Sequence, residues 1–286
     1  MGVDAESTPI FSFMVSGFQR KAGLWWALVL CTPVWAQVPP SSNAPFYTAT
    51  SVVDAATNLP GAVAPNGLVA LYGTRLSFAT RSLQPQDVIS DVLPTALPGT
   101  GVRIAISAIS VPILFVSPQQ VNFLVPPLLR PGRHKLQLTR EGWTGPEVEL
   151  EVAEVAPGTF VMESRFVIAT HADGRLVDGK APAQSGQVVI IYASGLGQTL
   201  PRLGNLSLPR GAVQIERRSQ FRLLLNGTEV EAGAVLYAGV TPGFAGLYQI
   251  NVRLPARLPE NPELRLGVGD RLSPAGLLLA AQAALQ

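Results

Sequence analysis

Cysteine is almost missing. The only one in 286 residues is Cys31, which excludes an intramolecular disulfide and leaves any core to hold by packing alone. Charge is scarce as well: Asp, Glu, Lys and Arg make up 14% of the chain, against roughly a quarter in average proteins. Hydrophobic residues reach 47%. Disorder needs the opposite balance and is excluded. A net charge of +2 is too small to point at nucleic acid, which calls for a basic face. The short basic groups Arg130, Arg133, Lys135 and Arg140, and Arg217, Arg218 and Arg222, read as solvated surface. No apolar run approaches the ~20 residues that span a bilayer, so no membrane span is expected in the mature chain. What is plentiful is Gly (27) and Pro (25), spread throughout as punctuation between short elements.

Residues 20–36 have the layout of an export signal. Arg20-Lys21 supply a basic start, Ala22 to Cys31 a short apolar run, and Val34-Trp35-Ala36 compact residues ahead of Gln37. Cleavage is expected after Ala36, with Met14 as an alternative start because residues 1–13 carry acids ahead of the basic pair. A lipidated Cys31 would need a small residue before it; Leu30 stands there. The mature chain then has no thiol, and its destination is secreted, periplasmic or cell-surface.

The chain repeats itself. Gln120-Val-Asn-Phe-Leu-Val-Pro126 answers Gln249-Ile-Asn-Val-Arg-Leu-Pro255, each after a short apolar strand, Ile113-Leu-Phe115 and Val235-Leu-Tyr237. Upstream, Gly67-Leu-Val-Ala-Leu-Tyr72 matches Gly186-Gln-Val-Val-Ile-Ile-Tyr192; downstream, Lys135 to Thr139 matches Glu263 to Val268. Matched segments in one order, separated by the length of a domain, indicate a duplicated domain and not a solenoid. Local patterns are those of strands. Val148 to Val152 and Leu264 to Val268 alternate apolar with polar or small residues, giving one face to a core. Asn226-Gly227 is a two-residue hairpin turn, and Asp173-Gly174 turns Phe166 to Thr170 back on itself. The tail, Ala275 to Gln286, suits either a short helix or, better, a last strand over Leu277 to Ala281. The expected fold is all-β: two tandem immunoglobulin-like sandwiches related by internal duplication. Residues 1–36 form the signal, 37–44 a linker, 45–156 the first sandwich and 157–286 the second.

Several motifs in the same order carry a family resemblance. They are Ala64-Pro-Asn-Gly67 with Tyr72-Gly73, Val116-Ser-Pro-Gln-Gln-Val-Asn122, Ala156-Pro-Gly-Thr-Phe160, Tyr192-Ala-Ser-Gly-Leu-Gly197, Tyr237-Ala-Gly-Val-Thr-Pro-Gly243 and Gly246-Leu-Tyr-Gln-Ile-Asn-Val252. Over residues 48–283 the chain resembles acidobacterial secreted proteins with the Solibacter uncharacterised C-terminal domain. The resemblance implies export, an envelope or extracellular setting and a β-sandwich like the TIG group. It transfers no functional residue.

Chemistry is thin. His134 and His171 are explained by a strand surface and by the Asp-Gly turn. Ser194 lacks the Gly-x-Ser-x-Gly elbow of a hydrolase, and Gly195-Leu-Gly197 lacks the third glycine and the helix of a nucleotide loop. Asp173 to Asp178 lacks the alternating oxygen ligands of a calcium loop, so neither metal nor cofactor is expected. Two features remain as binding candidates. Gln120 with Asn122, and Gln249 with Asn251, share one face of a strand. They form either polar rungs for a carbohydrate or peptide, or braces bonded to nearby loop backbone; recurrence in both copies favours the brace. Trp143, the only tryptophan after Ala36, lies between glycines. It suits a loop tip that stacks on sugar or, in the preferred reading, a cover for the seam between domains. The resulting expectation is a non-catalytic exported module for interaction or structure at the bacterial surface. A polysaccharide-binding module comes second and an enzyme third, with an extracellular glycan or a cell-surface protein as the partner.

Overall fold

The computed structural model describes residues 43–283 except Ser164, so the expected export signal with its cleavage point, Cys31, the two candidate starts and most of the expected 37–44 linker lie outside the described residues. The chain is all-β. Its only helical turns are four 3₁₀ segments of three residues each among the described residues.

Up to Val152 the chain forms two facing sheets. One runs in the spatial order Val52–Asp54, Leu68–Tyr72, Gln120–Leu124, Ile113–Val116, Arg81–Ser82. The other runs Val148–Val152, Gly132–Arg140, Val102–Ile106, Ile109–Ser110, with Trp143–Thr144 folded onto Gly132–Arg140. Side chains of alternating phase meet between them: Val69, Val121 and Phe123 from the first sheet, Ile104, Leu136, Leu138 and Leu150 from the second. All are nearly solvent-free, each contributing roughly 1.5–3 kcal/mol by leaving water.

The remainder repeats the plan. A sheet ordered Gly158–Thr159, Val188–Ser194, Tyr248–Arg253, Val235–Val240, Val213–Ile215, Thr199–Leu200 faces one of Thr228–Glu229, Phe221–Leu225, Leu264–Val268 and Arg271–Leu272. Its core gathers Val189, Ile191, Leu223, Ile250, Val252 and Leu266. Asn226 and Gly227, with φ of 48° and 77°, turn the chain between Leu225 and its partner Thr228. The tail is no helix: Leu278 bridges Phe166 and Glu263, and Ala281 bridges Ala183.

Correspondence between the halves extends to register. Leu68 opposes Leu124 and Tyr72 opposes Gln120; Val188 opposes Arg253 and Tyr192 opposes Gln249. Phe115 opposes Asn122 and Tyr237 opposes Asn251, each beside an irregularity at the same place in the ladder. Both central strands end alike. The Val125 N–H donates to Gly67 O and the Leu254 N–H to Gln187 O, and Pro126 and Pro255 then have no N–H to continue.

The halves meet along a polar seam with an apolar patch. Asn66 donates to the Tyr248 hydroxyl at 3.0 Å, and that hydroxyl donates to Gly197 O. Leu68 N–H donates to Ser194 Oγ at 3.0 Å. Leu128 N–H reaches Asn205 Oδ1 at 3.0 Å. The Leu93 N–H donates to Leu206 O and the Leu208 N–H to Asp91 O. Beside these bonds, Leu68 packs on a cluster of Phe160, Met162, Ile168, Tyr192 and Leu247. A Cβ on Gly195 would overlap the Ala156 carbonyl, which is how tightly the connection lies on the turn after Ser194.

Candidate functional site

Trp143 does not cover the seam. It stands at the far end of the first half, 48% exposed, just after a two-residue turn whose Glu141 and Gly142 have φ of 48° and 83°. The ladder sets it opposite Arg140, and opposite residues face the same side of a sheet. The seam reading fails because the residues that cross between halves lie around Asp54, Asn66–Leu68, Asp91, Leu93, Leu124, Leu128 and Glu154, and none belongs to this hairpin.

Arg140 organises this end. It falls on the inward phase of its strand with Leu136 and Leu138, yet it is a cation only 1% exposed. Its guanidinium donates to Arg75 O at 2.6 Å and to Asn43 O at 2.5 Å, and among the described residues no carboxylate pairs with it. Its Nε has no partner. Phe78 covers it, with the guanidinium carbon 3.8 Å from the ring centroid, inside the range of a cation–π contact. The other face of Phe78 meets water, since the residue is 66% exposed. Phe46, 57% exposed, pairs with Thr74 next to Arg75. Beneath it, Tyr47 accepts the Leu138 N–H at 2.7 Å, and burial pushes its phenol up to about 12. Phe46, Phe78 and Trp143 are the only exposed aromatic side chains among the described residues. Phe78 lies on the guanidinium, Trp143 is the cross-strand partner of Arg140, and Phe46 bridges the residue before Arg75, whose carbonyl the guanidinium bonds.

The Gln and Asn candidates occupy central strands, on the face turned away from each core. Their amides bond each other and not loop backbone. Gln120 Nε2 donates to Asn122 Oδ1 at 2.8 Å, and Gln249 Nε2 donates to Asn251 Oδ1 at 3.2 Å. The loop-brace expectation overlooked that same-face neighbours two apart lie within reach along a strand. In both halves an aromatic flanks each member of the pair: Tyr72 and Phe115 in the first, Tyr192 and Tyr237 in the second. Exposure separates the two. Gln120 is buried, while Gln249 and Asn251 are both half-buried.

At the seam, Asp54 is the buried carboxylate. Its Oδ1 accepts the N–H groups of Ala56 at 3.0 Å and Thr57 at 2.9 Å, and Ser194 hydrogen-bonds it from the other half. Burial pushes its pKa up to about 6, against the pull of the Thr57, Ala56 and Ser194 hydrogen bonds. Ser194, solvent-free, is a structural hydroxyl.

Both histidines hold backbone or turns. His134 bonds Ser107 Oγ at 3.0 Å and Arg130 O at 2.8 Å; His171 bonds Ala181 O at 3.0 Å. Four of the grouped basic residues are neutralised by carboxylates: Arg133 pairs with Glu149, Lys135 with Glu147, Arg222 with Glu229 and, across the two halves, Arg217 with Glu154. Among the described residues, no three His, Cys, Asp or Glu side chains form a metal-binding group, and no helix is long and apolar enough to cross a membrane.

Sequence reasoning missed Arg140, Phe78 and Phe46. Arg140 had a signal, a charged residue on the apolar phase of Leu136 and Leu138. Phe46 and Phe78 had none, because they sit in aperiodic segments.

No family model matches the chain, and no curated protein matches it. Among solved structures, it is similar to a Bacteroides ovatus surface protein of a mixed-linkage glucan utilization locus, solved with a mixed-linkage heptasaccharide. Identity there is 10% and the TM-score 0.32, over 83% of this chain and 41% of that one. A surface glycan-binding protein from Prevotella bryantii is 10% identical with a TM-score of 0.26, over 83% and 42%. The tandem immunoglobulin repeats of Dlar are 12% identical with a TM-score of 0.19, over 84% and 95%. The chain thus spans less than half the length of either glycan-binding protein, and likeness at this level carries no argument about what it binds.

Proposed function

We propose that this is a non-catalytic extracellular module that binds polysaccharide through the aromatic end of its first sandwich. The carrying observation is the grouping of Trp143, Phe78 and Phe46 around buried Arg140. Exposed aromatics gathered in one place mark a contact surface, and a flat ring suits the C–H face of a sugar. Arg140 supports the role by fixing Phe78 before any ligand arrives, which lowers the ordering cost of binding. The binder is expected outside the cell, following the export signal read over residues 20–36.

Binding to an array of bacterial and plant polysaccharides tests the reading, with Trp143→Ala and Phe78→Ala alongside the unaltered protein. Binding to at least one polysaccharide is expected, with about tenfold or greater weakening in each variant. Glycan binding that both variants retain in full would refute the assigned surface, and no binding anywhere would refute the function.

A further inference from the structure

The two amide rows are built alike but end differently. In the first half the row Gln120, Asn122, Leu124 finishes on an apolar residue with no exposure. The second half lies against that end: a Cβ on Gly246 would sit 2.5 Å from Leu124 Cδ1 and 2.9 Å from Leu68 Cδ2. The chain itself covers the Leu124 end of this row and buries Gln120, leaving only Asn122 half-buried. In the second half the row is Gln249, Asn251, Arg253, and Arg253 takes the place of Leu124 opposite Val188. Arg253 is exposed, enters none of the ion pairs among the described residues, and its guanidinium donates a single hydrogen bond among them, to Gly186 O at 3.5 Å.

We infer that Gln249, Asn251 and Arg253 form a second ligand site, which takes a glycan bearing carboxylates, such as a uronic-acid polymer. The inference rests on the protein being a glycan binder, but not on the aromatic end. Residues two apart on a strand are about 7 Å apart, so the row runs about 13 Å, longer than one sugar ring. The Gln249–Asn251 bond uses one donor and one acceptor. It leaves Gln249 Oε1 to accept and Asn251 Nδ2 to donate, the pair of roles a sugar hydroxyl needs. Gly239 lets the Tyr237 ring lie across its backbone, since a Cβ there would overlap the Tyr237 hydroxyl and ring. The ring is pinned by its hydroxyl at Val213 O and Val240 O and stands beside Gln249, which opposes Gly239. Arg253 supplies a guanidinium with no internal carboxylate, and a forked pair of N–H donors matches a carboxylate. A peptide added as an extra strand is a poor fit. The strand is central, and its backbone from Tyr248 to Val252 is already paired on both sides, which leaves no edge for strand addition.

Calorimetric titration with polygalacturonate and with a neutral β-glucan tests this on the unaltered protein, Arg253→Ala, Asn251→Ala and Trp143→Ala, each checked for an unchanged melting curve. Polygalacturonate is expected to bind in a salt-sensitive way and to bind about tenfold more weakly to Arg253→Ala and Asn251→Ala. Any neutral-glycan binding should be untouched by those two variants and reduced by Trp143→Ala. Full polygalacturonate affinity in Arg253→Ala and Asn251→Ala overturns the inference, as does its loss in Trp143→Ala alone. Neutral binding through Trp143 without polygalacturonate binding overturns this site and leaves the function standing; no glycan binding at all removes both.

Discussion

The guanidinium carbon of Arg140 stands over the Phe78 ring, 3.8 Å from its centroid, so a buried cation holds an exposed aromatic in place. The cation itself is held by two carbonyls, Arg75 O and Asn43 O. Arg140→Ala therefore strands two acceptors and opens a void under Phe78. Urea denaturation should show a loss of about 2–4 kcal/mol. Phe78→Ala should cost less, about 1 kcal/mol, because the guanidinium then gains water. Equal losses would mean that Phe78 and not the carbonyls anchors Arg140.

Asp54 gives stability an unusual pH dependence. Its pKa is about 6 in the folded protein against an ordinary 3.8, so between those values the folded state binds the proton that the unfolded chain has released. Stability should rise as pH falls through 6 and level off below about 4, with a total near 3 kcal/mol from this group. The Asp173 and Asp178 carboxyls, held low by hydrogen bonds from the Arg175 side chain and from backbone, act in the opposite direction at lower pH. The difference between the unaltered protein and Asp54→Asn isolates Asp54. The stability of Asp54→Asn minus that of the unaltered protein should be about 2 kcal/mol more positive at pH 7.5 than at pH 4.5, because only the unaltered protein then carries a buried ionised carboxylate. A pH-independent difference would contradict that carboxylate.

The amide pairs predict unequal costs for equal substitutions. Asn122→Ala removes the acceptor of Gln120, which is buried, and should cost about 1–2 kcal/mol. Asn251→Ala leaves the half-buried Gln249 free to find water and should cost under about 0.5 kcal/mol. Denaturation of both variants is the check, and equal losses would show that burial does not set the difference.

Gly195 stands with φ of 73° where the connection from Ala156 crosses. Gly195→Ala adds a left-handed alanine and a clash with a carbonyl, so a loss of 2 kcal/mol or more is expected. A melting curve within a degree of the unaltered protein would show that the connection moves aside.

Much of the scaffold was legible because strand periodicity is local. Gln120 and Asn122, like Gln249 and Asn251, alternate with apolar neighbours, so their shared outward face could be read without coordinates. Asn226-Gly227 announced its own turn. The Leu277–Ala281 segment, expected as a last strand, makes only isolated bridges, and its partners Phe166, Glu263 and Ala183 are long-range and carry no local signature. Trp143 was legible as a loop-tip aromatic and not as the neighbour of Arg140, since alternation says nothing of what a charged residue does on an apolar phase. The Asp54–Ser194 contact joins residues 140 positions apart and could not be read at all. The same limit hid the aromatic end: Phe46, Phe78 and Trp143 come together only through tertiary packing.

The central claim is that sugar stacks on the exposed aromatics, and the intrinsic emission of a chain beginning at Gln37, whose only tryptophan is Trp143, reports on it directly. Titration with the polysaccharide that binds on the array should change that emission saturably, with the same midpoint as calorimetry. Emission that stays flat through a calorimetrically saturating titration would show that the ligand binds elsewhere and contradict the account.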